Sequence, residues 1–303
     1  MTGDTLTEID LDGDEYQAAV TSLLLAARGD DPMAGLWEAG DLQWWWSVDK
    51  GQGSRRDTVW LDAGGQPVAC LLTSRQDTGN WAPGSTDCEL LWKPRFDAAV
   101  REQVFPIASQ RLAKLESGPD APVSMDVDER EGELRARLEA VGFRHDPEGD
   151  IVQMWQSLAA MPDPIPLPAG LRFDDDRSRP PGQPHHLARR NGELVAQRLR
   201  EQSLYRPDLD LCIRAETGEV AAYCLGWLDA VNGVGLFEPV RTEDTWQRRG
   251  LGRALLTEGI RRFMSEGASL IKVSRMRNSE AARGLYASVG FQDAFATLRY
   301  VKA

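Results

Sequence analysis

Gln247-Arg248-Arg249-Gly250-Leu251-Gly252 sets two glycines one residue apart behind two arginines, and Arg253 adds a third cation. A strand-like apolar run, Val234 to Val240, precedes this stretch, and a helical pattern, Leu251 to Met264, follows it. The glycines therefore sit where strand becomes helix. The first turn of a helix carries unpaired N–H groups and the positive end of the dipole. Glycine lets another molecule approach the backbone closely. With the arginines, this is the chemistry of a pyrophosphate cradle at a helix N-terminus. No Gly-Lys-Ser/Thr follows, so the stretch is not a P-loop. The third glycine and downstream ribose-binding acid of a dinucleotide fingerprint are also missing.

Extended to Gln-x-x-Gly-x-Gly-x-Ala over residues 247–254, the pattern resembles the acetyl-CoA loop of the GNAT superfamily of N-acetyltransferases. Residues 278–291, Asn-Ser-Glu-Ala-Ala-Arg-Gly-Leu-Tyr-Ala-Ser-Val-Gly-Phe, are similar to that family's ending, which runs Asn, Ala, Leu-Tyr and Gly-Phe. The resemblance implies acetyl-CoA as co-substrate and no metal. It implies that the backbone of Val240, Arg241 and Thr242 pairs with pantetheine. It places Gln247, Arg248, Arg249, Gly250, Leu251, Gly252 and Arg253 around the pyrophosphate. Asn278 would contact the pantetheine side, and Tyr286 would lie at the thioester sulfur as general acid. The chemistry supports the last role: a thiol leaving group has a pKa near ~8.5 and a phenol about 10, close enough for the phenol to donate.

An attacking amine needs a base, because ammonium is not a nucleophile. Glu238 is the candidate, ahead of Asp229 and Glu243. It lies on the strand feeding the cradle, beside Pro239, which cannot donate to a ladder and signals a bulge that re-aims neighbouring side chains. The family resemblance also implies a glutamate base on this strand. The expected reaction is direct attack of a primary amine, most simply of a small molecule, on the acetyl-CoA carbonyl. Backbone N–H at the bulge would polarise that carbonyl. Two other classes share these features: a non-catalytic acyl-CoA-binding regulatory module, and a protein or peptide N-acetyltransferase. Tyr286 and Asn278 favour catalysis.

The elements that must position these groups begin with the hairpin Leu211 to Ala215 and Val220 to Leu228 around Glu216-Thr217-Gly218-Glu219. Asn232-Gly233 then turns the chain into the strand that carries Glu238. Leu256, Ile260, Phe263 and Met264 give the following helix one apolar face. Ser269 to Val273 reads as a strand, Asn278-Ser279-Glu280 opens the last helix, Gly290 stops it, and Phe295 to Val301 closes the sheet.

The first half repeats this order. An acidic lead-in and a helix, Tyr16 to Arg28, precede a hairpin, Thr58 to Leu61 and Pro67 to Thr73. Strand Cys88 to Trp92, helix Asp97 to Leu115, strand Pro122 to Val127, helix Gly132 to Ala140 and strand Ile151 to Leu158 follow. Counted against the second half, Val100 and Glu102 replace Gly250 and Gly252, and Leu138 replaces Tyr286. A β-branched side chain blocks close approach, and an acid repels phosphate. Trp44-Trp45-Trp46 packs a core, or walls an acceptor pocket. Prolines at 162, 164, 166 and 168 make a stiff linker. The expected organisation is α/β with two tandem GNAT-like domains, each a mixed, mostly antiparallel twisted sheet flanked by helices. A degenerate half without cofactor spans 1–160, the linker 161–168, and an intact half 169–303.

Composition narrows the partners. The formal net charge is −12 over 303 residues, which disfavours nucleic acid and anionic membranes and suits a cationic acceptor. The N-terminus lacks the basic-then-apolar order of a signal peptide, and no apolar run reaches the roughly 18 residues of a span, so a cytoplasmic location is expected. Cys70, Cys88, Cys212 and Cys224 form no metal-binding spacing and read as reduced core thiols. Oligomeric state is not legible.

Overall fold

The structure, a computed structural model, describes residues 5–35, 37–48, 57–75 and 84–303. The first half runs β1 (Thr7–Leu11), α1 (Gly13–Asp30), α2 (Ala39–Ser47), β2 (Asp57–Leu61), β3 (Pro67–Arg75) and β4 (Thr86–Trp92). Next, α3 (Asp97–Ala99) passes through a π-helical stretch, Val100–Val104, into α4 (Phe105–Ala113). Then come β5 (Val123–Asp128), α5 (Gly132–Ala140), β6 (Arg144–His145) and β7 (Ile151–Ser157). The second half runs β8 (Leu171–Asp175), α6 (Ala188–Asn191), α7 (Val195–Glu201), β9 (Asp210–Ala215), β10 (Val220–Asp229) and β11 (Val234–Thr242). It ends with α8 (Leu251–Ser265), β12 (Leu270–Met276), α9 (Glu280–Ala287) and β13 (Gln292–Lys302).

Two compact units result: Met1–Ile151 with Phe295–Ala303, and Val152–Ala294. They differ from a division at 161–168. Residues 161–168 form neither helix nor strand, as their prolines require, but they lie inside the second unit. The strand just before them, β7, also belongs to the second unit from Val152 on, and β13 belongs to the first from Phe295 on. Each unit thus takes its last strand from the other half of the chain. Alternation along a strand says which residues face a core; it does not say whose core.

In the first unit β1, β2, β3 and β4 pair antiparallel in sequence, and β4 pairs parallel to β5 from Thr86↔Val123 to Glu89↔Asp126. β13 adds antiparallel to β5, from Thr297↔Asp128 to Lys302↔Val123. The second unit repeats the plan: β8, β9, β10 and β11 are antiparallel, and β11 is parallel to β12. β7 lies beyond β12. The parallel pairing ends at Phe237↔Val273, although β11 runs on to Thr242 and β12 to Met276. The two strand ends therefore part at the place where the chain turns into α8.

α8 buries Leu251, Leu255, Leu256, Ile260 and Phe263 against Phe237, Ile271 and Val273, one helix face on one sheet face. In the first unit α2 is a helix where the sequence shows only a tryptophan-rich run. Trp44 and Trp46 are buried, Trp46 stands edge-on to Tyr16 at 5.7 Å, and Trp45 meets Trp37 at 5.0 Å. These rings pack the first unit. Among the described residues no helix is long and apolar enough to cross a membrane.

Candidate functional site

Pairing between β10 and β11 goes from Cys224↔Val240 to Gly226↔Phe237, so Glu238 and Pro239 together face Leu225 alone. This is the bulge that Pro239 signals. The Glu238–Pro239 peptide is cis. The Trp227 indole donates to the Glu238 carbonyl at 2.8 Å, and the Glu238 side chain is half-buried.

Beyond Thr242 a short 3₁₀ turn, Asp244–Trp246, leads into the open loop 247–250. Gln247 ties the loop to the strand end, donating to the Thr242 carbonyl at 3.4 Å and to Asp244 at 3.3 Å. Arg241 donates to Asp244 at 3.1 Å, and the Arg249 guanidinium lies 4.8 Å over the Trp246 ring. Arg248 and Gly250 take positive φ, 59° and 77°. At Gly250 a Cβ would meet nothing within 4 Å, so the space beside this turn is open. No side chain caps α8, and the first N–H with a backbone acceptor is that of Ala254, on Gly250 at 3.0 Å. Arg248, Arg249 and Arg253 are exposed and have no acidic partner among the described residues. The arrangement is an uncapped, positively flanked helix start, which accepts an anion.

Gly252 is small for a different reason than expected. It is buried, and a Cβ there would lie 3.2 Å from both Leu285 methyls and 3.3 Å from the Thr242 hydroxyl. The close approach at this glycine is that of α9, while Gly250 supplies the backbone turn.

Tyr286 on α9 is 7% exposed and sits edge-on to Phe291 at 6.1 Å. Its hydroxyl has no hydrogen-bond partner among the described residues. Burial first, and then the charge of Glu238, push the phenol well above its ordinary range. It is therefore held protonated beside the bulge. Asp229 and Glu243 both serve local structure. Asp229 accepts from the Val231 and Asn232 N–H groups at 3.0 Å each and stabilises the Asn232-Gly233 turn. Glu243 takes a 2.9 Å bond from Arg190, whose charge holds its carboxyl below the usual range. Asn278 is exposed, and Ser279, one residue later, caps α9 by accepting from the Ala282 N–H at 3.4 Å. The motif carries one residue more between Asn278 and Leu285-Tyr286 than the family spacing Asn-x-x-Ala-x-x-Leu-Tyr. A pantetheine contact by Asn278 thus rests on order along the chain.

At the matching place in the first unit, Asp97–Ala99 are already helical directly after the 3₁₀ turn Pro94–Phe96. Val100 is fully buried there, and Leu138 is a buried core residue where the second unit has Tyr286. The turn that 247–250 leaves open is wound as helix.

A buried polar cluster escaped the sequence reading. Asp210, at the start of β9, takes His185 Nε2 at 2.8 Å and the Tyr205 hydroxyl at 2.7 Å on one oxygen. His186 Nε2 lies 2.8 Å from the other oxygen. The histidines hold the Asp210 carboxylate far below its usual range despite burial. Three ligand atoms lie within 4.8 Å here, as a metal would need. However, the Leu187 N–H donates to His185 Nδ1 at 3.2 Å. That puts the ring proton on Nε2, where it bonds Asp210 and leaves no lone pair for a metal. The only local signal was the His-His dipeptide; its partner lies 25 residues away along the chain. All four cysteines are buried and free, and burial pushes the Cys212 thiol up to about 12.

Residues 153–291 match the acetyltransferase (GNAT) family model, nearly the extent of the second unit. Among solved structures, a GCN5-related N-acetyltransferase from Sphaerobacter thermophilus is 20% identical, with 98% of this chain and 96% of that chain covered and a TM-score of 0.56. A tandem GNAT protein from the clavulanic acid biosynthesis pathway is 15% identical, with 98% of each chain covered and a TM-score of 0.64. A GNAT-family acetyltransferase from Colwellia psychrerythraea is 12% identical, with 98% and 100% covered and a TM-score of 0.54. At such identities the likeness is one of fold. No curated protein matches.

Proposed function

We propose that this tandem GNAT-like acyltransferase transfers an acetyl group from acetyl-CoA to a primary amine of a small molecule, by direct attack. The fold and family match support acyl-CoA-dependent acetyl transfer in general. The observation that carries the finer reading is one juxtaposition. A protonated, buried Tyr286 lies within the field of Glu238, at the bulge that leads to the uncapped start of α8.

The residues fit the co-substrate on two counts: the open space beside Gly250, and the uncapped first turn of α8 flanked by arginines that have no acidic partner among the described residues. Gly250, Leu251, Gly252, Arg248, Arg249 and Arg253 would hold the pyrophosphate. Val240, Arg241, Thr242 and Asn278 would line the pantetheine, and Gln247 braces the loop. Bound acetyl-CoA supplies a thioester carbonyl for attack. Glu238, directly or through water, takes the proton that the amine must lose. Tyr286, kept protonated by burial and the Glu238 charge, donates toward the sulfur. The net charge of −12 favours approach of a cationic acceptor.

The test is free-thiol release from acetyl-CoA over a panel of amines, aminoglycosides, amino acids and peptides. Release matched by an N-acetylated small amine supports the reading; release only with peptides redirects it to proteins; binding with no release marks a CoA-binding relic. Calorimetry is expected to give one acetyl-CoA per chain, because the first unit winds its matching turn into helix. Two equivalent sites would contradict this. Glu238→Gln should depress the rate most at low pH, where the acceptor is ammonium, with recovery as pH rises and free amine accumulates. A loss equal at every pH would count against Glu238 as base.

A further inference from the structure

The His185–Asp210–His186 cluster has no place in the reaction as derived, yet it is among the most buried polar groups of the second unit. Its location gives it one. Leu225 pairs with Asp210, so Asp210 shares a sheet face with Tyr223, Leu225 and Trp227, which alternate along β10. Asp210 receives the Tyr205 hydroxyl at 2.7 Å. The Tyr205 ring stands edge-on to Trp227, 6.5 Å between centroids at 64°. Trp227, 2% exposed, donates its indole N–H to the Glu238 carbonyl at 2.8 Å. An unbroken chain of contacts thus runs from the buried carboxylate to the backbone of the base.

We propose that Trp227 and Tyr205 are positioning residues for the Glu238 carboxylate: the indole fixes the peptide at the bulge, and Tyr205, tied to Asp210, seats the indole. At a bulge two residues face one, so the ladder alone leaves the direction of the Glu238 side chain underdetermined. A hydrogen bond to its own carbonyl sets that direction. Asp210 stays ionised between two histidines, so Tyr205 donates to a full charge, the strong and short kind of hydrogen bond. Asp176, clamped by Arg179 at 2.5 Å and Arg200 at 2.9 Å, lies 3.5 Å from His185 and backs the cluster. The indole is thereby held at both ends, by a ring contact and by a hydrogen bond.

This rests on Glu238 acting as base, and the experiment separates the two claims. Wild-type thiol release with the best amine of the panel, and its loss in Glu238→Gln, test the base. Trp227→Phe keeps an apolar ring and deletes the N–H; Tyr205→Phe keeps the ring and deletes the tie to Asp210. Each should lower kcat about tenfold or more, the scale of a misplaced catalytic group, with the acetyl-CoA KM within about twofold. The loss should be largest at low pH and recover as pH rises, as in Glu238→Gln. The double variant Trp227→Phe with Glu238→Gln should be no slower than Glu238→Gln alone, because both remove one function. Wild-type kcat in both phenylalanine variants, a loss equal at every pH, or losses that multiply in the double variant would each overturn the proposal. If Trp227→Phe melts at assay temperature, Tyr205→Phe, which leaves the packing intact, decides alone. No release by the wild type with any amine defeats the base, and with it this assignment.

Discussion

Tyr286→Phe is expected to lower kcat by ~10²- to 10⁴-fold, the range for a lost general acid, while acetyl-CoA affinity stays nearly unchanged. Affinity should hold because the ring, packed edge-on to Phe291, remains, and its hydroxyl has no hydrogen bond to another described residue to lose. The rate should fall because the substitution removes the O–H that donates and leaves the ring in place. The sign of the pH dependence follows from the environment. Burial and the Glu238 charge raise the phenol pKa, so the working, protonated form persists to higher pH than for an ordinary tyrosine. The wild type should therefore show no fall in kcat from this group up to pH ~10, the ordinary tyrosine value. Pre-steady-state turnover of both forms across pH, with binding measured alongside, reads this out. A variant that turns over at the wild-type rate, with chemistry rate-limiting, would remove Tyr286 from the mechanism.

Gly250→Val should cost ~10²- to 10⁴-fold in acetyl-CoA affinity without unfolding the second unit. Gly250 has φ 77°, a region that β-branched side chains avoid. A valine there must rotate the turn and so re-aim the first N–H groups of α8. Losing two charge-assisted hydrogen bonds of ~1.5–3 kcal/mol each gives the stated range, at 1.4 kcal/mol per tenfold. The fold should survive because a Cβ at this position meets nothing within 4 Å. Gly252→Glu is a poorer probe: its side chain would enter the packing between α8 and Leu285, and lost binding would be mixed with lost structure. Calorimetry beside thermal melting separates the cases. Full affinity in Gly250→Val would mean that the turn does not cradle the ligand.

Much of the second unit was legible from local chemistry. Asn232-Gly233 announced the turn into β11, Pro239 its bulge, and Gly250 the start of α8, because each forces backbone geometry whatever surrounds it. Features decided by distant partners were not. α2 hid because it is buried on nearly every side, so its sequence carries no helical period. The Asp210 cluster hid because its members meet only after folding. Gly252 looked like its neighbour Gly250 although one answers to a turn and the other to a helix packed against it.

The exchange of last strands bears on heredity. β7 is encoded in the first half of the chain and, from Val152 on, folds with the second unit. A lesion in residues 152–157 would thus be mapped to the first half of the chain and felt by the second unit, beside β12. The reverse holds for β13, encoded last and folded with the first unit. Neither half of the gene can be discarded, duplicated or shuffled alone without carrying away a strand that the other needs.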